Sequence, residues 1–283
     1  MKNIKQKLKS YKRSPLSLFL YIIVTLSAVI TVGILLSLIL YILIKGIPNL
    51  SWDLFAWEYN SENVSMMPAI VNTVVMTLLT LVIAVPIGVF SAIYLVEYAK
   101  RGNKLVSLIR ITTETLSGIP SIVYGLFGFL MFVVSLDFGY SLLGGALTLA
   151  IMVLPLIMRT TEEALLSVTD SYREGSFGLG AGKLRTVFKI VLPSAMPGIL
   201  SGVILAIGRI VGETAALIYT SGTVTGIPNN PMGSGRTLSV HMYALLSEGL
   251  YMEQAYATAV VLLILVTAIN AGSRFIARKL TKI

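Results

Sequence analysis

Six long apolar runs constrain this chain of 283 residues more than any other feature of its sequence. They occupy residues 16–44, 69–96, 116–136, 142–158, 195–221 and 255–272. Each run is close to the roughly 20 residues that a helix needs to cross the hydrocarbon of a bilayer. The first run is too long for the apolar part of a signal peptide, so we interpret it as a retained span. We therefore predict an all-α integral membrane protein, with a basic tail over residues 1–15 and one bundle of six transmembrane helices over residues 16–283.

The charged residues are few, and most of the basic ones lie on one side of the predicted bundle. They make up 12% of the chain, about half the usual share in a soluble domain. Lysines and arginines gather in the N-terminal tail, the second-to-third and fourth-to-fifth connections and the C-terminal tail, whereas the other connections carry only Lys45 and Arg236. Because basic residues accumulate in cytoplasmic loops, we expect both termini in the cytoplasm. This distribution accounts for the net charge of +9 without a nucleic-acid partner.

Glycines crowd the longest cytoplasmic connection, residues 159–194, in the stretch EGSFGLGAGK. A phosphate-binding P-loop has Ser or Thr after its Gly-Lys pair, but Leu184 follows Lys183 here, so we expect no nucleotide at this loop. Beyond the glycines, apolar residues recur at helical spacing over residues 184–191 with basic residues between them. A short amphipathic helix of this kind suits either the groove of a partner protein or the lipid surface, and the pattern alone favours neither.

The spacing within this connection resembles the signature of permease subunits in ABC importers. That signature is Glu-Ala-Ala, then three residues, Gly, nine residues, Ile, one residue and Leu-Pro. The matching residues are Glu174, Gly175, Ser176, Gly180, Ile190, Leu192 and Pro193. Two small residues, Gly175 and Ser176, stand where the signature has alanines. Four further stretches are similar to the PstA-type permeases of phosphate-specific importers: residues 94–99, 119–128, 154–165 and 208–215.

The resemblance, which runs from about residue 70 to residue 275, implies a passive half of a channel in the bacterial inner membrane. Such a permease pairs with a second, PstC-type permease and binds two PstB-type ATPase subunits below. An extracytoplasmic binding protein delivers phosphate from above. The signature segment would form a cytoplasmic coupling helix that lies in the ATPase groove and transmits ATPase closure to the spans. ATP and Mg²⁺ would bind the ATPase, so we expect no cofactor, metal or catalytic residue on this chain.

Two charged residues, Arg209 and Glu213, stand four apart in the fifth apolar run. On one continuous helix they would share a face and reach each other. Charged groups at bilayer depth cost about 2.5–3.5 kcal/mol each on insertion scales, so the sequence predicts a pair. One interpretation is a structural salt bridge. The other is that Arg209 lines the translocation pathway, where a guanidinium matches phosphate oxygens, and that Glu213 orients it.

The cytoplasmic end of the fourth run carries Arg159. An anchoring arginine at the membrane surface is one interpretation, and the resemblance suggests a second pathway residue as the other. Three rival functions also stay open at this stage. They are a permease for molybdate, tungstate or sulfate, a membrane sensor or scaffold in phosphate signalling, and a secondary transporter. The last is disfavoured because the inverted repeat and the ion-coupling carboxylates of such proteins are missing.

Overall fold

The structure, a computed structural model, describes residues 15–100 and 102–280. The predicted basic tail, apart from residue 15, lies outside the described residues, as do Arg101 and Lys282. The helices in chain order are α1 (Pro15–Gly46), α2 (Met67–Ile93), α3 (Lys104–Ser117), α4 (Ser121–Gly128), α5 (Leu142–Leu166), α6 (Asp170–Gly178), α7 (Lys183–Thr186), α8 (Leu192–Val211), α9 (Ala215–Thr220), α10 (Leu238–Glu248) and α11 (Met252–Leu280). Helices α2 and α4 each continue into a π-helical segment, Tyr94–Tyr98 and Phe129–Ser135, and a third such segment, Val187–Val191, joins α7 to α8.

Five helical stretches in the described part of the chain are long and apolar enough to cross a membrane. They are Leu16–Asn49, Met67–Tyr98, Leu142–Leu166, Lys183–Val211 and Met252–Phe275. A sixth span arises only if α3 and α4 with its π segment are taken together, and these two pieces are bent by 103°. The prediction of an all-helical multi-span protein is confirmed.

The bend between α3 and α4 differs from the straight third span expected over residues 116–136. Helix α3 ends at Ser117, and Pro120 precedes α4. Proline offers no N–H to a preceding turn and disfavours a helical conformation at Ile119 before it, so the helix stops at this point. The buried hydroxyl of Tyr124 donates a hydrogen bond to the carbonyl of Leu116 (2.8 Å) and fixes α4 against the end of α3.

Helix α5 is the centre of the bundle, and two-thirds of its apolar window is buried. It packs against α2, α4, α8 and α9. Glycines let the helices approach closely, as in many membrane bundles. A Cβ added at Gly88 of α2 would lie 2.8 Å from Ile157 of α5, and one added at Gly202 of α8 would overlap Thr160 of α5. By contrast, α1 is exposed along its apolar window and packs mainly on α11.

The two ends of α2 mark two different ends of the molecule. At the N-terminal end of α2, Asn72 donates hydrogen bonds to the carbonyls of Gly226 and Arg236 and so holds the loop before α10. At its C-terminal end, Ala92 and Ile93 share an apolar cluster with residues of α5 and with the Val187–Val191 segment. The loop that carries the permease signature, residues 174–193 (the signature loop), and the loop before α10 therefore lie at opposite ends of the bundle.

Candidate functional site

The fifth predicted span is broken at its charged residues. Helix α8 ends at Val211, and α9 begins at Ala215 after a break over residues 212–214. The carboxylate of Glu213, which is 9% exposed, accepts a hydrogen bond from the N–H of Ala216 (3.0 Å). It thus satisfies one of the free amides at the start of α9. The predicted fifth span over residues 195–221 therefore consists of two helices, because Gly212 ends α8 and Glu213 holds the new helix start.

Arg209 and Glu213 do not pair. Among the described residues, Arg209 and Glu213 are not one of the ion pairs whose charged nitrogen and oxygen atoms lie within 4 Å of each other. The expected orientation of Arg209 by Glu213 is therefore also wrong: the break in the helix takes the carboxylate to the amide of Ala216 instead. Arg209 lies half-buried in the last turn of α8 and forms no hydrogen bond or ion pair with another described residue. Arg209 is thus an unpaired guanidinium within the described chain, in the last turn of a candidate membrane span.

Arg159 lines a mixed-charge cavity near the C-terminal end of α5. Its Nε donates to Glu163 (3.0 Å), and both side chains are more than half exposed. On the facing helix α3, Arg110 pairs with Glu162 (2.5 Å). The cavity between them has a volume of about 270 Å³ and also contains Glu114. Arg159 therefore already has a carboxylate partner, unlike Arg209.

The signature loop folds as two short helices joined by a turn. Helix α6 includes Glu174, Gly175 and Ser176, so the first glycines are helical and do not form the expected turn before the helix. The turn lies at Gly180, whose φ of +82° favours glycine because other side chains are strained there. The second part of the signature leads into a candidate membrane span: Ile190 lies in the π segment Val187–Val191, and Leu192 and Pro193 begin α8.

The surface of this loop exposes large apolar side chains among charged ones. The exposed apolar side chains include Tyr172 (58%), Phe177 (48%), Leu179 (91%) and Leu184 (66%). A Cβ added at Gly175, Gly178, Gly180 or Gly182 would meet nothing within 4 Å. Exposed apolar patches rimmed by polar residues are typical of protein docking surfaces.

The sequence reasoning missed an ion pair behind this surface. Arg173 of α6 donates from Nε (3.1 Å) and Nη2 (2.7 Å) to one carboxylate oxygen of Glu97, which lies after α2. The two side chains are only 14% and 8% exposed. The one available signal was Glu97 itself, a single carboxylate at the end of a long apolar run, since Arg173 had been interpreted only as one of the cytoplasmic basic residues.

A second missed group lies at the opposite end of the molecule. Arg236 is 4% exposed and stacks over the ring of Tyr59 at 4.8 Å. His241 lies edge-on to the same ring and is fully buried, with no hydrogen-bond partner on either ring nitrogen. Burial, and then the charge of Arg236, lower the pKa of His241 to about 3. Within the described residues no group of three or more metal-ligating side chains occurs, and His241 is accordingly a neutral packing residue.

Comparison with known protein families gives one match that covers most of the chain. Residues 84–282 match the family described as binding-protein-dependent transport system inner membrane component. This range includes the free arginine, the broken fifth span and the whole signature loop.

Two curated relatives and one solved structure agree with that match. The probable ABC transporter permease protein YqgI of Bacillus subtilis is 34% identical over 275 residues, 91% of this chain and 93% of the relative. The phosphate transport system permease protein PstA of Pasteurella multocida is 34% identical over 241 residues, 83% of this chain and 85% of the relative. The crystal structure of a bacterial alginate ABC transporter superposes with a TM-score of 0.71 at 15% identity, over 96% of this chain and 98% of that one. At that identity the likeness concerns the fold alone.

Proposed function

Since the chain belongs to the family of binding-protein-dependent transport inner membrane components, we propose that it forms half of the pathway of an ATP-driven importer for inorganic phosphate. It is a multi-pass protein of the bacterial inner membrane. The observation that supports phosphate as the substrate is the similarity to permeases named for phosphate transport, at 34–37% identity in several bacteria.

The free guanidinium of Arg209 supports an anionic substrate. An arginine at membrane depth is costly and is retained mainly where it serves a pathway or a pair, and this one has no protein partner in the described chain. Its fork of N–H donors fits phosphate oxygens. We assign Arg209 to the translocation pathway.

Glu213 and Arg159 take different parts in this proposal. Glu213 holds the break between α8 and α9 through Ala216, just after Val211 ends the helix that carries Arg209. Arg159, on the cytoplasmic side, is neutralised by Glu163. A phosphate that moves past Arg159 therefore meets a paired charge, which favours exit to the cytoplasm.

The exposed loop around α6 and α7 supports the coupling assignment. We propose that Glu174, Gly175, Ser176 and Gly180 dock into the groove of an ATPase subunit. The remaining signature residues, Ile190, Leu192 and Pro193, connect that docked segment to α8. The chain would work with a second, PstC-type permease, two PstB-type ATPases that bind ATP and Mg²⁺, and an extracytoplasmic phosphate-binding protein. Permeases of this family are generally non-catalytic, and ATP hydrolysis is assigned to the partner ATPases.

Reconstitution tests the substrate directly. The chain, its partner permease and the ATPases are placed in proteoliposomes with the binding protein outside, and uptake of labelled phosphate is followed with ATP in the lumen. ATP-dependent uptake that excess unlabelled phosphate abolishes, and that molybdate, tungstate or sulfate does not, is expected. If one of those oxyanions competes better than unlabelled phosphate does, that oxyanion rather than phosphate is the substrate. Uptake that persists with a hydrolysis-dead ATPase would refute the importer assignment.

A further inference from the structure

Arg173 joins three elements of the cytoplasmic end at one guanidinium. Nε and Nη2 bind Glu97, which lies in the π-helical segment after α2. Nη1 donates to the carbonyl of Val168 (2.7 Å) and Nη2 to that of Leu165 (3.0 Å), at the end of α5. Arg173 itself lies in α6, where Nη1 also reaches Asp170 (3.2 Å).

Both carbonyls that Arg173 binds lie at the C-terminal end of α5, where a helix lacks its own N–H partners, and that of Leu165 also accepts a long bond from the N–H of Val168 (3.3 Å). A cation at the C-terminus of α5 is also favoured by the helix dipole. The guanidinium therefore completes α5 and at the same time ties it to α2 and α6. A lysine could not make these bonds together, because a single ammonium cannot span acceptors on three elements as a planar fork does.

Apolar packing does little to hold α6 in place. Its larger apolar side chains, Tyr172 and Phe177, are about half exposed or more, and Leu179 directly after it is almost fully exposed. On its inner side a cavity of about 1000 Å³ opens between Phe177, Arg173 and the segment around Lys104. A nine-residue helix with Gly175 and Gly178 has little stability of its own.

Two polar contacts tie α6 to the rest of the described chain by its side chains. One is the network of Arg173. The other is the buried hydrogen bond between the hydroxyls of Ser176 and Thr186 (2.8 Å), which links α6 only to the neighbouring α7. The direct polar connection of α6 to the α2 and α5 spans is therefore the network of Arg173 and Glu97, whereas the neighbouring Val187–Val191 segment packs on those spans through apolar side chains.

We propose that Arg173 and Glu97 form a brace that makes the docked loop move as one body with α2 and α5, so that movement of the ATPase reaches the translocation pathway. This proposal depends on the coupling role of α6 proposed above. Both residues are positioning residues: they contact neither the ATPase surface of the loop nor the substrate. Loss of the brace leaves the docking surface intact but lets α6 tilt without moving the spans.

The test uses the reconstituted complex with Glu97→Gln and Arg173→Lys. Both variants keep similar size, and Glu97→Gln retains an acceptor oxygen for Arg173. We expect normal co-purification with the ATPases and continued ATP hydrolysis, with phosphate transported per ATP lowered at least tenfold. Matched changes at two exposed residues that form no ion pair with another described residue, Glu253→Gln and Arg274→Lys, are expected to leave this ratio unchanged.

A distance measurement reports the brace without transport. The chain has no cysteine, so Tyr94→Cys in the π segment after α2 and Ser171→Cys in α6, two exposed positions that are not among the proposed docking residues, allow paired spin labels in the assembled complex. We expect a narrow distance distribution with the brace and a clearly broader one in Glu97→Gln or Arg173→Lys. If the wild-type complex moves another oxyanion, the phosphate assignment fails while this readout still tests the brace.

Three results would overturn the proposal. The first is that both variants transport as much phosphate per hydrolysed ATP as the wild type. The second is an unchanged distance distribution. The third is loss of the complex in Glu97→Gln, because the pair would then be needed to fold the loop rather than to transmit its movement.

Discussion

Replacement of Arg209 by alanine separates a pathway arginine from a structural one. The guanidinium has no hydrogen-bond or ion-pair partner in the described chain, so its removal leaves no carboxylate orphaned. It also removes a charge whose insertion costs about 2.5–3.5 kcal/mol. The Arg209→Ala complex is therefore expected to unfold at the same temperature as the wild type or a higher one. A structural salt bridge would give the opposite result, since breaking one costs about 3–5 kcal/mol.

The expected loss of transport follows from the bonds that Arg209 offers an anion. Charge-assisted hydrogen bonds contribute about 1.5–3 kcal/mol each. Two parallel bonds at the low end of that range give about 3 kcal/mol, or about a 100-fold slower passage of phosphate in Arg209→Ala. Arg209→Lys keeps the charge but loses the second bond, and it is expected to transport about 10-fold more slowly than the wild type.

The assay is initial uptake of labelled phosphate into proteoliposomes, with complex assembly and thermal unfolding measured on the same samples. The matched control is Arg274→Ala, an exposed arginine near the end of α11. Uptake by a stably assembled Arg209→Ala complex within twofold of the wild type would refute the pathway role. A marked fall in its unfolding temperature would show that Arg209 is held by a partner permease.

Three further predictions concern the loop, the bundle and the buried histidine. Gly180 has a φ of +82° and open space around it, so Gly180→Val introduces about 1–2 kcal/mol of backbone strain and should weaken co-purification of the ATPase about tenfold. Gly180→Asn should not weaken it, because asparagine tolerates this conformation. Equal binding by both variants would contradict a backbone cause. Gly202→Val forces a side chain into Thr160 of α5 and should destabilise the protein by about 1–3 kcal/mol in thermal unfolding, whereas Gly33→Ala, which meets nothing, should not lower stability. The pKa of His241 is lowered to about 3 in the folded chain, so the unfolded chain is protonated first and the free energy of unfolding falls as the pH drops from about 6.5 toward 3. Between pH 6.5 and 5 the free energy of unfolding falls by about 2 kcal/mol. A His241→Gln complex that shows the same acid sensitivity would exclude this residue as its source.

The candidate site shows which functional residues a local sequence pattern can predict. Arg209 could be selected from the sequence because a charged residue inside an apolar run indicates a functional or paired residue, whatever the arrangement of the spans. Its relation to Glu213 could not, because spacing of four predicts a shared face only on an unbroken helix. Gly212 and the amide of Ala216 decide that the helix stops between them. The roles given to Arg209, Glu213 and Arg159 stay proposals for mutagenesis, as does the cytoplasmic placement of both termini.

By itself the sequence determined the class of protein, because hydropathy, basic-residue counts and signature spacing are properties of short stretches and survive any arrangement of the spans. It gave the apolar runs, the unusual charge at Arg209 and the register of the loop from Glu174 to Pro193. The tertiary structure decided the 103° bend before α4, the break after α8 and the pairing of Glu97 with Arg173. Those two residues lie 76 positions apart, and only the packing of α2 against α5 brings their charges together out of water.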